Sequence, residues 1–152
     1  MERRFVWAPT STLAADPRIR EADATQHIAF GEERRPGEVH LALPFAPQFC
    51  QQNGFLHAGA IASVADSANG YAAYTLAPPE SDVLAVEFKI NLLAPARGDG
   101  FLACGRVLRP GRTLTVCQAE VITTGTNART LIATMLSTII VRPMERGARA
   151  GA

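Results

Sequence analysis

From residue 57 to residue 76 the chain reads His57-Ala-Gly-Ala-Ile-Ala-Ser-Val-Ala-Asp-Ser-Ala-Asn-Gly-Tyr-Ala-Ala-Tyr-Thr-Leu76, with apolar residues recurring at three- and four-residue spacing. At about 100° per residue, Ile61, Val64, Ala65, Ala68, Tyr71, Ala72 and Leu76 fall on one stripe, the face a helix lays on a sheet. Gly59, Ala62, Ser63, Asp66, Asn69, Gly70 and Ala73 fall on a second stripe almost bare of bulk. Pro78-Pro79 stops the helical pattern, because proline lacks the N–H and its ring clashes with the preceding turn. The period then drops to two: Val86, Phe88, Ile90 and Leu92 alternate with Glu87, Lys89 and Asn91, which predicts a strand with one buried and one polar face.

Short strand-like runs occupy residues 26–32 and 38–43, around a Pro36-Gly37 turn, and a loop covers 44–55. Pro95 ends the strand after the helix. Three further β-rich runs, 101–108, 114–123 and 129–141, are separated by turn residues at 109–112 and 124–127. The order is a hairpin, one long helix and four strands. It predicts an α+β domain whose antiparallel sheet of five to six strands curls around its one long central helix, and a face left for a second copy to cover. Residues 1–23 are expected to form an N-terminal arm with at most a short helix near 16–23. Residues 24–142 form the domain, and 143–152 a flexible tail.

Composition narrows the choice. The chain has 152 residues, with 15 basic against 14 acidic side chains. Apart from Arg34-Arg35 and the tail arginines it has no dense basic run, so no nucleic-acid or anionic-membrane partner is expected. Cys50, Cys104 and Cys117 are odd in number and widely spaced, which indicates neither a disulfide framework nor zinc. The reading is an intracellular, cytoplasmic protein. The helical run holds His57, Asp66 and Asn69 and many small residues, so it does not read as a membrane span.

Asp66 is the residue that secondary structure does not explain. Aspartate is a poor interior helix residue, and an ionised carboxylate among alanines must be paired, hydrogen-bonded or facing a wet cleft. It either bonds Ser63 or a loop amide, or serves a ligand passing over the bare stripe. The preceding loop, Gln51 to His57, would leave the backbone N–H groups of Ala58 and Gly59 projecting from the helix N-terminus. Such donors, aided by the helix dipole, suit an oxygen that becomes negative during acyl transfer; Gln51 or Asn53 would add a side-chain amide. Plain capping is the alternative for this loop. Positions 58 and 66 lie about 12 Å apart along one helix, too far for one carbonyl to meet both. Two antiparallel copies of the helix would solve this, giving a composite site with Asp66 from one subunit and residues 51–59 from the other.

Gln51, Gly54, His57-Ala58-Gly59 and Asp66, nine positions after the histidine, resemble the motif of the hotdog-fold acyl-CoA thioesterases. The likeness is strongest to the branch with phenylacetate-pathway and 4-hydroxybenzoyl-CoA-type enzymes. The segment from Val86 to Pro95 and the turn from Arg109 to Thr113 extend it over residues 24–142. The resemblance implies a hotdog fold, a homodimer that often pairs into a tetramer, and hydrolysis of a CoA thioester without metal or cofactor. By the same resemblance Asp66 is nucleophile or general base, the Ala58 N–H polarises the thioester carbonyl, Gln51 positions water or the acyl intermediate, and His57 orients the loop. Arg109 and Arg112, around Gly111, would meet the CoA phosphates while Thr113 begins the next strand, with Asn53, Ser67 and Asn69 near the substrate. An exposed turn with solvated arginines is the alternative for 109–113. Two departures stand out: Ala58 replaces the motif's first glycine and would be strained at positive φ, and Ala85 stands where some relatives carry a hydroxyl. The competing functions are a hotdog hydratase or dehydratase, whose histidine and acid would flank the acyl chain, and a non-catalytic acyl-CoA binding protein or sensor, which Ala85 favours.

Overall fold

The computed structural model describes residues 30–125 and 129–144. The expected arm at 1–23, the start of the first strand at 26–29, the turn at 126–128 and most of the tail lie outside the described residues. Among the described residues six strands, β1 (Phe30–Arg35), β2 (Glu38–Pro44), β3 (Ser81–Leu92), β4 (Gly100–Arg109), β5 (Leu114–Thr124) and β6 (Leu131–Pro143), accompany one α-helix, α1 (Ala58–Tyr74). The sheet is antiparallel throughout, in the order β1-β2-β4-β5-β6-β3. The α+β reading with one helix on one sheet is therefore the observed architecture.

Alternation decides which residues fill the space under the helix. Val39, Leu41 and Leu43 of β2, Phe101 and Ala103 of β4, Ala119 and Val121 of β5, and Ile132 and Met135 of β6 are buried. They meet Ile61, Val64, Ala65, Ala68 and Ala72 of α1 in one core. The contact is closest at Gly105 in the middle of β4, where a Cβ would run into the Ala68 carbonyl and the Asn69 N–H. Only a residue without a side chain lets the helix backbone come this near. At the far end Thr75 caps the helix: its Oγ1 donates to the Ala72 carbonyl at 2.7 Å and accepts from the Gly37 N–H at 2.6 Å. Gly37, at φ 78°, forms the β1–β2 turn.

Two expectations change. The loop at 44–55 contains a 3-10 turn at Pro47–Phe49. More consequentially, the apolar face of β3 is not buried by this chain: Val86 is 56% exposed, Phe88 46% and Leu92 52%. Of the four alternating residues only Ile90 packs against the core. The reason is placement. β3 lies at the sheet edge and pairs only with β6, and the register jumps from Ala85 opposite Ile139 to Glu87 opposite Thr138, leaving Val86 as a bulge. A bulge bends and twists the strand it interrupts.

Candidate active site

The loop before the helix is held by its own backbone. The Gln51 N–H donates to the Phe55 carbonyl at 2.8 Å and the Gly54 N–H to the Gln51 carbonyl at 3.0 Å. Gly54 takes the φ of 74° that this turn requires. The loop is then anchored at two points, with the Leu56 N–H on the Ala96 carbonyl at 3.1 Å and the His57 N–H on the Phe49 carbonyl at 2.8 Å.

His57 is the helix N-cap. Its Nδ1 accepts the Gly59 N–H at 2.9 Å, so the neutral ring carries its proton on Nε2. A Cβ at Gly59 would stand 3.0 Å from that nitrogen, a tight contact that the ring would have to yield to. The His57 carbonyl accepts from the Ala60 and Ile61 N–H groups at 3.0 and 3.2 Å. Gly59, expected as a second free donor, thus has its N–H occupied. The Ala58 N–H is the donor of the first turn left without a partner among the described residues. Ala58 is not strained: Glu80 is the only described non-glycine residue at positive φ.

Beside Ala58 opens a cavity of about 560 Å³, walled by residues 51, 52, 55–58 and 61 on one side and 92–96 on the other. Gln51, His57 and Ala58 meet there as expected. Asn53 does not line the cavity, whereas Gln52 and Phe55 do. The wall from Leu92 to Ala96 was not anticipated. Only Pro95 marks this stretch in the sequence, and what brings it to the helix N-terminus is the Leu56–Ala96 hydrogen bond between segments 40 residues apart.

Asp66 lies two turns further along α1. Its Oδ1 is buried without a hydrogen-bond partner among the described residues, and burial raises the carboxyl pKa above 3.8. Ser63, the expected local partner, donates its hydroxyl to the Gly59 carbonyl at 2.8 Å instead. Ser67, beside it, is half-buried. Asn69 departs from the expected stripe: it is fully buried and donates Nδ2 to Ser137 Oγ at 2.7 Å, so it faces the sheet, as Ala73 does. Asn69 meets Ser137 of β6, and Ala73 meets Cys117 of β5 and Ile139 of β6, so the sheet covers this flank of the stripe as well.

Arg109, Gly111, Arg112 and Thr113 form an exposed turn. The Gly111 N–H reaches Thr115 Oγ1 at 3.4 Å and the Thr113 carbonyl accepts the Val141 N–H at 2.8 Å. This turn sits at the C-terminal end of α1, where the Val107 N–H bonds the Gly37 carbonyl beside Thr75. The helix has 17 residues, so the turn and the cavity stand about 25 Å apart. Within one chain neither Asp66 nor the arginine turn meets the cavity.

A backbone donor at a capped helix start, a cavity beside it and an isolated carboxylate on the same helix are an acyl-transfer set without its geometry closed in one chain. The family model described as Thioesterase superfamily matches residues 53–128, which contain the donor, the carboxylate and all of the cavity wall but Gln51 and Gln52. The chain belongs to the thioesterase superfamily. A Silicibacter pomeroyi thioesterase family protein of known structure is 40% identical, with a TM-score of 0.77 over 82% of this chain and 95% of that one. A Saccharolobus solfataricus protein named as a candidate esterase is 36% identical over 84 residues, 55% of this chain and 59% of its own length. The chain thus spans less than two thirds of that relative. A Streptococcus mutans protein whose structure is bound to acetyl-CoA shares the fold at 22% identity, with a TM-score of 0.68 over 78% of this chain and 91% of that one. As a member of this superfamily the chain has the hotdog fold. No described helix is long and apolar enough to cross a membrane.

Proposed function

We propose that this thioesterase-superfamily protein hydrolyses an acyl-CoA to free acid and CoA, at a site that two copies of the chain complete together. The observation that carries the reading is Asp66, whose buried Oδ1 has no partner on a helix face of small residues. A carboxylate desolvated in this way is a stronger base than one in water. It attacks the thioester carbonyl carbon, or removes a proton from the water that does. The carbonyl oxygen becomes negative and takes the Ala58 N–H, with the helix dipole in support. The C–S bond then breaks and the CoA thiolate leaves, taking a proton from solvent or from the Asp66 carboxyl that received it from water; where Asp66 itself attacked, water then cleaves the acyl–Asp66 anhydride, releasing the acid and restoring the carboxylate. Gln51 in the cavity wall orients the attacking water.

The need for a second copy follows from distance. The eight-residue separation of Ala58 and Asp66 corresponds to about 12 Å, while both must lie near adjacent atoms of one thioester. The uncovered edge of β3, with Val86 and Phe88 exposed, offers the surface on which an antiparallel partner would bring its Asp66 to this chain's Ala58. The same symmetry would carry the partner's arginine turn toward the cavity, where Arg109 and Arg112 suit phosphates. The acetyl-CoA complex of the Streptococcus mutans relative supports a CoA thioester as the ligand class.

Release of free thiol from a panel of short, long and aromatic acyl-CoAs tests the reading. Turnover by the wild type that Asp66→Ala abolishes, with folding and association intact, is the expected result. Undiminished turnover in Asp66→Ala would sink it.

A further inference from the structure

Arg97 follows directly on Ala96, the last residue of the cavity wall. Its guanidinium lies 4.3 Å from the centroid of the Phe55 ring, which is itself part of that wall. The two residues come from opposite sides of the cavity, and the Leu56–Ala96 hydrogen bond keeps them side by side. A tight bend with the Arg97 N–H on the Pro95 carbonyl at 3.0 Å turns the chain at this point. Arg97 is exposed, and among the described residues no carboxylate neutralises it: Asp99, two residues on, makes no ion pair with it.

We propose that Arg97 is a substrate-recognition residue that binds an anionic oxygen group of the thioester at the cavity rim. The group is a phosphate of the nucleotide carrier or a carboxylate at the far end of the acyl chain. The inference rests on the thioester-hydrolase reading and adds a specificity element to it. With its carbon held over the Phe55 ring the guanidinium makes no ion pair among the described residues, so its N–H groups stay open to a carboxylate or phosphate in a two-point contact. Stacking also holds the long side chain in place before a ligand arrives, so less freedom is lost on binding. The positive end of the α1 dipole at the same cavity favours negative charge further. An arginine serving only as surface charge has no need of an aromatic ring from another segment to fix it.

The test compares wild type, Arg97→Gln and Arg97→Lys on four thioesters: a plain acyl group and its terminally carboxylated counterpart, each joined to CoA and to pantetheine, which lacks the nucleotide phosphates. Circular dichroism and sedimentation confirm that the variants fold and associate as the wild type does. Arg97→Gln is expected to lower kcat/KM about tenfold to a hundredfold, through KM, on the substrates that carry the recognised anion. Arg97→Lys should recover part of the loss, since it restores the charge without the fork. A loss confined to both CoA thioesters identifies the phosphate, and one confined to both carboxylated acyl groups identifies the acyl end. Equal kinetics on all four substrates, or an equal loss on all including the uncharged pantetheine thioester, would overturn the assignment. If the wild type turns over none of them, the hydrolase reading fails. Calorimetric binding of the same four thioesters to wild type and Arg97→Gln then decides the role of Arg97 by the same pattern.

Discussion

Asn69 Nδ2 donates to Ser137 Oγ at 2.7 Å across the interface between helix and sheet, and both side chains are fully buried. The pair is a polar link in an apolar core, joining α1 to β6, while Asn69 Oδ1 is buried without a partner. Ser137→Ala leaves the whole carboxamide unbonded in the core. An unsatisfied buried group costs about 1–3 kcal/mol, so Ser137→Ala is expected to lose that much unfolding free energy, read as a lower urea midpoint at unchanged slope. An unmoved midpoint would mean that the bond contributes nothing.

Asp66 ties activity and stability to pH with opposite signs. Burial raises its pKa above 3.8, and in the proposed mechanism the ionised form is the one that attacks or deprotonates water. Turnover should therefore climb as pH rises through the raised value. Stability runs the other way: the fold favours the protonated carboxyl, so the contribution is complete below the ordinary pKa and is lost as pH rises through the raised one. Asp66→Asn is expected to lose about 10²- to 10⁴-fold in turnover, yet to unfold at higher denaturant than wild type at pH 8. That gap should close toward pH 4. A gap that does not change with pH would contradict the desolvated carboxylate.

His57 is expected to act as a cap. His57→Ala should cost about 1 kcal/mol of stability and weaken the loop that presents Ala58, whereas His57→Asn supplies another good N-cap. Denaturation and thiol release measured together separate the roles. If His57→Asn regains stability but stays as inactive as His57→Ala, the ring has a chemical task beyond the cap.

The exposed edge of β3 carries the oligomer prediction. Val86 and Phe88 stand on a strand whose outer backbone groups have no neighbouring strand among the described residues. Unpaired apolar edges invite strand pairing. Phe88→Glu is expected to shift wild-type oligomers to monomer in sedimentation velocity and to remove activity in the same titration. A monomeric variant that retains full turnover would place the whole site in one chain.

Much of this organisation is legible in residue order. The alternation of Val39, Leu41 and Leu43 and the three- and four-residue spacing of Ile61, Val64, Ala65, Ala68 and Ala72 give the strand and the helix their faces directly. The position of β3 is another matter, because its partner β6 begins almost 40 residues after it ends and nothing local distinguishes an edge strand from a central one. The same alternation in Val86, Phe88, Ile90 and Leu92 reads as burial, although three of the four are exposed in this chain. At the site, Gln51, His57 and Ala58 were readable because they are consecutive with the helix start. The opposing wall at 92–96 and the stack of Arg97 on Phe55 depend on one long-range hydrogen bond and left no mark of their own.

The absence of a side chain at Gly105 also governs a residue it never touches. With the Ala68 carbonyl and Asn69 N–H seated against β4, the helix can neither roll nor climb without a collision between main chains. Each residue of roll is worth about 100° of rotation, enough to turn Asp66 from its bare face into the sheet. One missing methyl group in a strand therefore sets the compass bearing of a carboxylate 39 positions earlier in the chain.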